Sequence, residues 1–166
     1  MIHTYSLIHD DLPGMDDDTM RRGRPTNHVV FGVGQAILAG DGLLNFAFET
    51  MLVAALRRPE RAAAELSAIA EIARGSGVTG MIAGQALDLY CERERISDVS
   101  ALEAIQRGKT ACMFLYPLRA AARLQNADET TLAALTDYGT AFGLLFQATD
   151  DLLDVVGSAE AMGKTL

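Results

Sequence analysis

His9-Asp10-Asp11-Leu12-Pro13-Gly14-Met15-Asp16-Asp17-Asp18 places five carboxylates within nine residues. Carboxylates this close cannot all stay ionised at low cost unless cations sit among them, so the stretch asks for metal. A second acidic run, Asp150-Asp151-Leu152-Leu153-Asp154, falls in an apolar, helix-forming setting, where positions 150, 151 and 154 project from one side of a helix. Two acidic sites need a shared explanation, and the helical setting of the second points to the fold class.

Outward from the first stretch, residues 2–9 read as a helix that delivers Asp10 and Asp11. Pro13-Gly14 then break the turn, and Arg21-Arg22-Gly23-Arg24-Pro25 form a basic loop. Residues 27–56 follow a helical pattern with small residues that permit close helix approach, and Pro59 ends it. Val29 to Leu56 is interrupted by Gln35, Asp41, Asn45 and Glu49, too polar for a lipid-spanning helix, and reads as a buried core helix. Residues 60–73 form a further helix, punctuated by Gly75-Ser76-Gly77, and another runs to about Tyr90. Ser97 to Ser100 with Glu103 looks like a capping box for a helix to about Arg107, and Gly108 marks a break. Residues 110–124 are helical with an expected kink at Pro117, and Asp128 caps a last long helix over 129–156. Nothing alternates with period two, so the chain reads as all-α, one helical domain over 1–166, without repeats or linkers.

Composition narrows the function classes. At 166 residues and 49% hydrophobic content, a sizeable core is available. The net charge of −8 reflects 22 acids against 14 bases, and with eight acids in the two clusters the remainder is balanced. This argues against a nucleic-acid binder and against an electrostatic membrane anchor. Cys91 and Cys112 lack ligand-like spacing, which makes them core thiols of a reduced, cytoplasmic protein. No signal-peptide pattern opens the chain.

An isolated run of three aspartates is ordinarily a solvated loop. Here Leu7 and Ile8 precede the first pair, and Leu144, Leu145, Phe146, Leu152, Leu153, Val155 and Val156 surround the second cluster, so these acids need partners. Hard oxygen ligands without nearby cysteine suit Mg²⁺ or Mn²⁺, commonly bridged to substrate phosphates. Arg21, Arg22, Arg24, Lys109 and Lys164 are candidate donors to anionic oxygens, with the Arg21-Arg22 pair the least incidental. An EF-hand is set aside, because ligands at alternate residues around a central glycine are lacking.

These residues resemble the trans-isoprenyl diphosphate synthases, of the bacterial farnesyl diphosphate synthase type. Ile2-His3-Thr4-Tyr5-Ser6-Leu7-Ile8-His9-Asp10-Asp11-Leu12-Pro13, Met15-Asp16 and Arg21-Arg22-Gly23 match the first aspartate-rich motif, DDxxxxD, with its adjoining RRG. Phe146 to Asp154 match the second, FQxxDDxxD, and Gly84-Gln85-Ala86-Leu87-Asp88 and Lys109-Thr110 look like the intervening motifs in their expected order. The resemblance implies an antiparallel helical bundle around a central cavity, here incomplete at both ends. It also implies head-to-tail condensation of an allylic diphosphate (dimethylallyl or geranyl) with isopentenyl diphosphate.

By the same resemblance, Asp10, Asp11, Asp16, Asp150, Asp151 and Asp154 hold Mg²⁺, three ions with diphosphate bound. The outer members of the first motif and Asp150 bind directly and the others through water. Arg21, Lys109 and Lys164 contact the allylic diphosphate, Arg22 the isopentenyl diphosphate, and Phe146 the latter's carbon skeleton. Thr110 and Gln147 aim oxygen dipoles at the developing cation, while Gln85 and Asp88 support the pocket. Tyr5 and Ser6, about one helical turn before Asp10, limit product length, slightly towards farnesyl. The family is usually homodimeric, so a homodimer or association with a complete subunit is expected. A non-catalytic prenyltransferase-like partner or inactive fragment is the alternative. A metal-dependent phosphohydrolase using His3 and His9-Asp10 ranks lower.

Overall fold

The computed structural model describes residues 1–156, apart from the side chains of Asp154 and Val155. Two compact units divide the described residues, one made of residues 1–50 with 151–156, the other of Met51–Asp150.

In the first unit, α1 (Ile2–Asp10) carries the apolar residues preceding the first acid pair, as the sequence predicts. The chain then turns sharply, with the Asp16 amide donating to the Asp10 carbonyl at 2.9 Å. The expected basic loop is a hairpin: β1 (Met20–Arg21) pairs antiparallel with β2 (Arg24–Pro25), Arg21 opposite Arg24. Arg22 (φ 52°) and Gly23 (φ 73°) are both left-handed, the geometry of the two-residue turn whose twist matches that of paired strands. Arg22 accepts a conformation that a β-branched residue would resist.

The helix expected over residues 27–56 is two. Gly32, at φ 89° and ψ 155°, separates α2 (Asn27–Phe31) from α3 (Val33–Leu56), a backbone state open to glycine because it lacks a Cβ. Nor is α3 a buried core helix: Ala36, Ala47 and Ala55 are buried, whereas Leu38, Phe46 and Leu56 are exposed. By length and composition α3 could cross a membrane. Asp41 near its middle argues otherwise, since a carboxylate at the centre of a spanning helix costs about 2.5–3.5 kcal/mol.

In the second unit a 3₁₀ turn (Pro59–Arg61) leads into α4 (Ala62–Ser76), followed by α5 (Met81–Glu94) and α6 (Val99–Ile105). Asp98, not a Ser100–Glu103 capping box, sits at the start of α6. Its carboxyl is held below the usual range, first by the Ser100 hydroxyl, while Glu103 pairs with Arg107. Gly108 does not break the chain either. Residues Gln106–Ala111 form a π-helical turn that runs directly into α7 (Cys112–Leu124), with Pro117 inside it. The last helix, α8 (Glu129–Val156), starts where Asp128 accepts the Thr131 amide at 2.8 Å, the predicted cap.

Glu71 on α4 accepts both Nε and Nη2 of Arg119 on α7, each at 2.9 Å, and Arg123 Nε at 3.3 Å. Such a buried carboxylate is tolerated because its oxygens are filled by fixed donors. The Arg119 bond holds Glu71 below the usual carboxylate range. Cys91 and Cys112 are buried, unpaired thiols, as expected.

Candidate active site

Each unit holds its own share of the predicted residues. In the first, Tyr5 is 5% exposed and meets the His9 ring edge-on, with centroids 5.6 Å apart. His9 is anchored in turn: its Nε2 lies 3.0 Å from the Ile37 carbonyl, and a Cβ on Gly40 would fall 2.0 Å from that nitrogen. Gly40 therefore makes room for His9, and His9 flanks Tyr5. Ser6 donates its hydroxyl to the His3 carbonyl at 3.0 Å and serves the helix backbone.

Among the acids of the first motif, Asp11 is buried, Asp10 half-buried and Asp16 exposed. Arg21 binds Asp11 Oδ1 through Nε and Nη2, both at 2.7 Å, and its Nη2 lies 3.6 Å from Asp18. Burial pushes the Asp11 carboxyl above its ordinary value against the pull of Arg21. Burial, then the charges of Arg22 and Arg21, holds His3 low. Arg22 is exposed at the hairpin turn. With His9 on the Ile37 carbonyl and the His28 Nδ1 3.2 Å from the Thr26 hydroxyl, the geometry does not favour a histidine-centred phosphohydrolase.

In the second unit the intervening motifs meet. Lys109 Nζ lies 2.9 Å from Asp88 Oδ2, and the Thr110 hydroxyl donates to Gln147 Oε1 at 2.6 Å. Lys109 and Thr110 ride on the π turn, a helix defect frequent at functional sites. Gly84 lets α5 approach it, because a Cβ there would stand 2.1 Å from the Lys109 amide nitrogen. Gly143 does the same for α8, where a Cβ would lie 2.4 Å from the Ala111 Cα. Phe146 packs on Phe114, centroids 4.9 Å apart, and Phe114 packs on Phe142 at 5.1 Å. The Gln85 side-chain nitrogen is buried without a hydrogen-bond partner, which leaves it a donor for a ligand oxygen. A cleft of about 410 Å³ is lined by Gly80, by Ala83 and Leu87 of α5 and by Cys112, Leu115 and Thr140, but by none of the predicted site residues.

Asp150 is half-buried and Asp151 exposed on α8. Lys164 and the Asp154 side chain lie outside what is described. Among the described residues, no three His, Cys, Asp or Glu side chains converge to hold a metal by themselves. The donor set fits Mg²⁺ all the same, since this ion is ordinarily held by one or two carboxylates, with substrate phosphate oxygens and water completing its shell. Glycines 40, 84 and 143, Phe114 and Thr26 support these groups. Only the GQxxD-like run around Gly84 marks one of them in the sequence.

A helical chain with two aspartate-rich motifs, an RRG hairpin and a lysine-threonine turn defines a class that comparison makes specific. The polyprenyl synthetase family model matches residues 1–166, and the chain belongs to that family. Farnesyl diphosphate synthase of Geobacillus stearothermophilus is 47% identical over 165 residues, covering 99% of this chain and 54% of that protein. Geranylgeranyl pyrophosphate synthase 3 of Arabidopsis thaliana is 46% identical over 169 residues, covering 99% of this chain and 46% of that protein. A crystal structure of Helicobacter pylori geranyltransferase complexed with magnesium and isoprenyl diphosphate matches with a TM-score of 0.86 and 35% identity, covering 99% of this chain and 53% of that one. The fold is therefore the all-α fold of isoprenyl synthases. The chain spans about half the length of the curated relatives it matches.

Proposed function

We propose that this chain carries out the Mg²⁺-dependent head-to-tail condensation of an allylic diphosphate, dimethylallyl or geranyl, with isopentenyl diphosphate. The products are a short-chain prenyl diphosphate, farnesyl by preference, and diphosphate. The carrying observation is 47% identity to a farnesyl diphosphate synthase over 99% of this chain, with both aspartate-rich motifs intact. The metal follows from the donor set and from the magnesium complex of the Helicobacter pylori enzyme. In this proposal 1–166 belongs to one partial synthase domain of a cytoplasmic protein that pairs as a homodimer or with a complete subunit. Two buried unpaired thiols suit a reducing compartment, and the exposed Phe31, Leu38 and Phe46 suit a partner subunit.

The proposed roles keep those that the resemblance implies, for every residue but Asp11. Asp10, Asp16 and Asp150 ligate directly, Asp151 and Asp154 through water, around three ions. When bound, Mg²⁺ neutralises charge that builds on the departing diphosphate. Arg21, Lys109 and Lys164 donate to that diphosphate, with Lys109 oriented by Asp88 at 2.9 Å. Arg22 takes the isopentenyl diphosphate, and Phe146 packs on its carbon chain. The Thr110 hydroxyl spends its one proton on Gln147, so its lone pairs are free to face an allylic cation. Gln85 offers its buried amide to a substrate oxygen. Tyr5, braced by His9, sets the floor that halts chain growth. No side-chain base is needed, because the released diphosphate can take the final proton.

The test is prenyl transfer by the 166-residue chain with geranyl diphosphate, labelled isopentenyl diphosphate and Mg²⁺, products sized by chromatography. Metal-dependent farnesyl product is expected, and longer product would overturn the role of Tyr5. Folded chain without product would favour the non-catalytic partner, and release of inorganic phosphate without carbon–carbon bond formation the phosphohydrolase.

A further inference from the structure

Asp11 and Asp10 are neighbours in sequence with different surroundings. Asp11 is 4% exposed, and one of its oxygens already receives two N–H groups of Arg21 at 2.7 Å. Mg²⁺ demands ligand oxygens at about 2.0–2.1 Å in a near-octahedral shell. On that oxygen it would share one atom with a guanidinium, placing two cations in contact. Arg21 itself is fixed from the backbone side, because it sits in the β1–β2 hairpin opposite Arg24. Thr26, buried at the hairpin's base, closes it: its amide donates to the Thr19 carbonyl at 3.0 Å and its hydroxyl to the Asp18 carbonyl at 2.7 Å.

We propose that Asp11 is a positioning residue for Arg21 rather than a metal ligand: it fixes the guanidinium plane on a hairpin closed by Thr26, so that the remaining N–H groups meet diphosphate oxygens in a set direction. This rests on the reading under Proposed function and replaces the water-mediated metal role that the family resemblance implies for Asp11. Direction matters because a guanidinium is planar and binds oxyanions through a fork.

Calorimetric titration of the whole chain with inorganic diphosphate, repeated over a series of Mg²⁺ concentrations, tests it. Asp11→Asn and Arg21→Ala should each weaken diphosphate binding about ten- to a hundredfold, the range for hydrogen bonds to charged groups. The double variant should be no weaker than the poorer single one. The Mg²⁺ concentration for half-saturation should stay unchanged in Asp11→Asn and rise severalfold in Asp10→Asn. Thr26→Val should lose affinity and Thr26→Ser keep it, which a space-filling role would not produce. Arg21→Lys retains the charge without the fork and covers the case where Asp11→Asn fails to fold: it should bind diphosphate almost as poorly as Arg21→Ala. A rise in Mg²⁺ requirement in Asp11→Asn equal to that in Asp10→Asn, or losses that multiply in the double variant, would overturn the assignment alone. Wild-type chain that binds no diphosphate would overturn the proposed function and this assignment with it.

Discussion

Gly84→Ala puts two physical effects of opposite sign in competition. Alanine is the better helix former, by about 0.8–1.0 kcal/mol at an interior position, so local propensity predicts stabilisation. Packing predicts the reverse. The added Cβ would stand 2.1 Å from the Lys109 nitrogen, 2.6 Å from the Gly108 carbonyl carbon and 2.8 Å from the Lys109 Cα. All three are backbone atoms, so no rotamer change relieves the clash, and α5 must part from the π turn by about 1.4 Å for the 2.1 Å approach to reach ordinary contact near 3.5 Å. Overpacking of this kind costs about 1–3 kcal/mol, and with no soft neighbour the upper end applies, for a net loss of about 1–2 kcal/mol. Urea unfolding should show a lower midpoint at unchanged slope. Gly42→Ala is the control, because its Cβ would meet nothing within 4 Å on α3 and should raise the midpoint by about 0.5–1 kcal/mol in equivalent free energy. Equal midpoint shifts in the two variants would refute the close-approach argument. If Lys109 and Thr110 act as proposed, turnover should fall further than stability does, since a misplacement of about 1 Å can cost roughly a hundredfold in rate.

Glu71→Gln should lower stability by about 3 kcal/mol, the low end for a broken buried pair, because the side chains of Arg119, Arg123 and Arg74 retain 19%, 30% and 55% exposure and can hydrate. The same pair predicts a pH dependence. Glu71 is depressed below its ordinary value of 4.5, so its contribution is fully present above that pH and is lost as the pH falls through the folded-state value. The difference in urea midpoint between wild type and Glu71→Gln should shrink below about pH 4.5, and a difference constant with pH would refute it. Cys112, with its thiol pushed up by burial, and Cys91 should resist alkylation in the native chain and react once it is unfolded in urea. Rapid native modification of either would place it at the surface.

The residues proposed to carry chemistry were legible one by one, because their types and spacings are unusual: the two acid runs, Arg21-Arg22-Gly23, Lys109-Thr110 and Phe146-Gln147. Helix positions followed from apolar periodicity, and the Asp128 cap from its preference for accepting a backbone amide. The departures share one cause. Gly32 splits a helix, Gly108 fails to split one, and Arg22-Gly23 turn a hairpin, yet glycine in sequence permits each of these outcomes equally. Gly108 stays helical, packed against Gly84, whereas Gly32 takes a positive φ of 89°, and residue type alone does not separate the two. Burial along α3 was misjudged for a related reason, since apolar content says that a face would gain from cover, not that the chain supplies it.

By itself, then, the sequence determined the helical class and the inventory of charged groups, because helix periodicity and ligand chemistry are properties of residues and their spacing. Only the tertiary structure decided which charges are already engaged: that Asp11 is taken up by Arg21, Lys109 by Asp88 and Glu71 by Arg119. A charge–charge contact depends on distance through space over a few ångströms, and residues 10, 21 and 48 positions apart come within that range only once the backbone has folded.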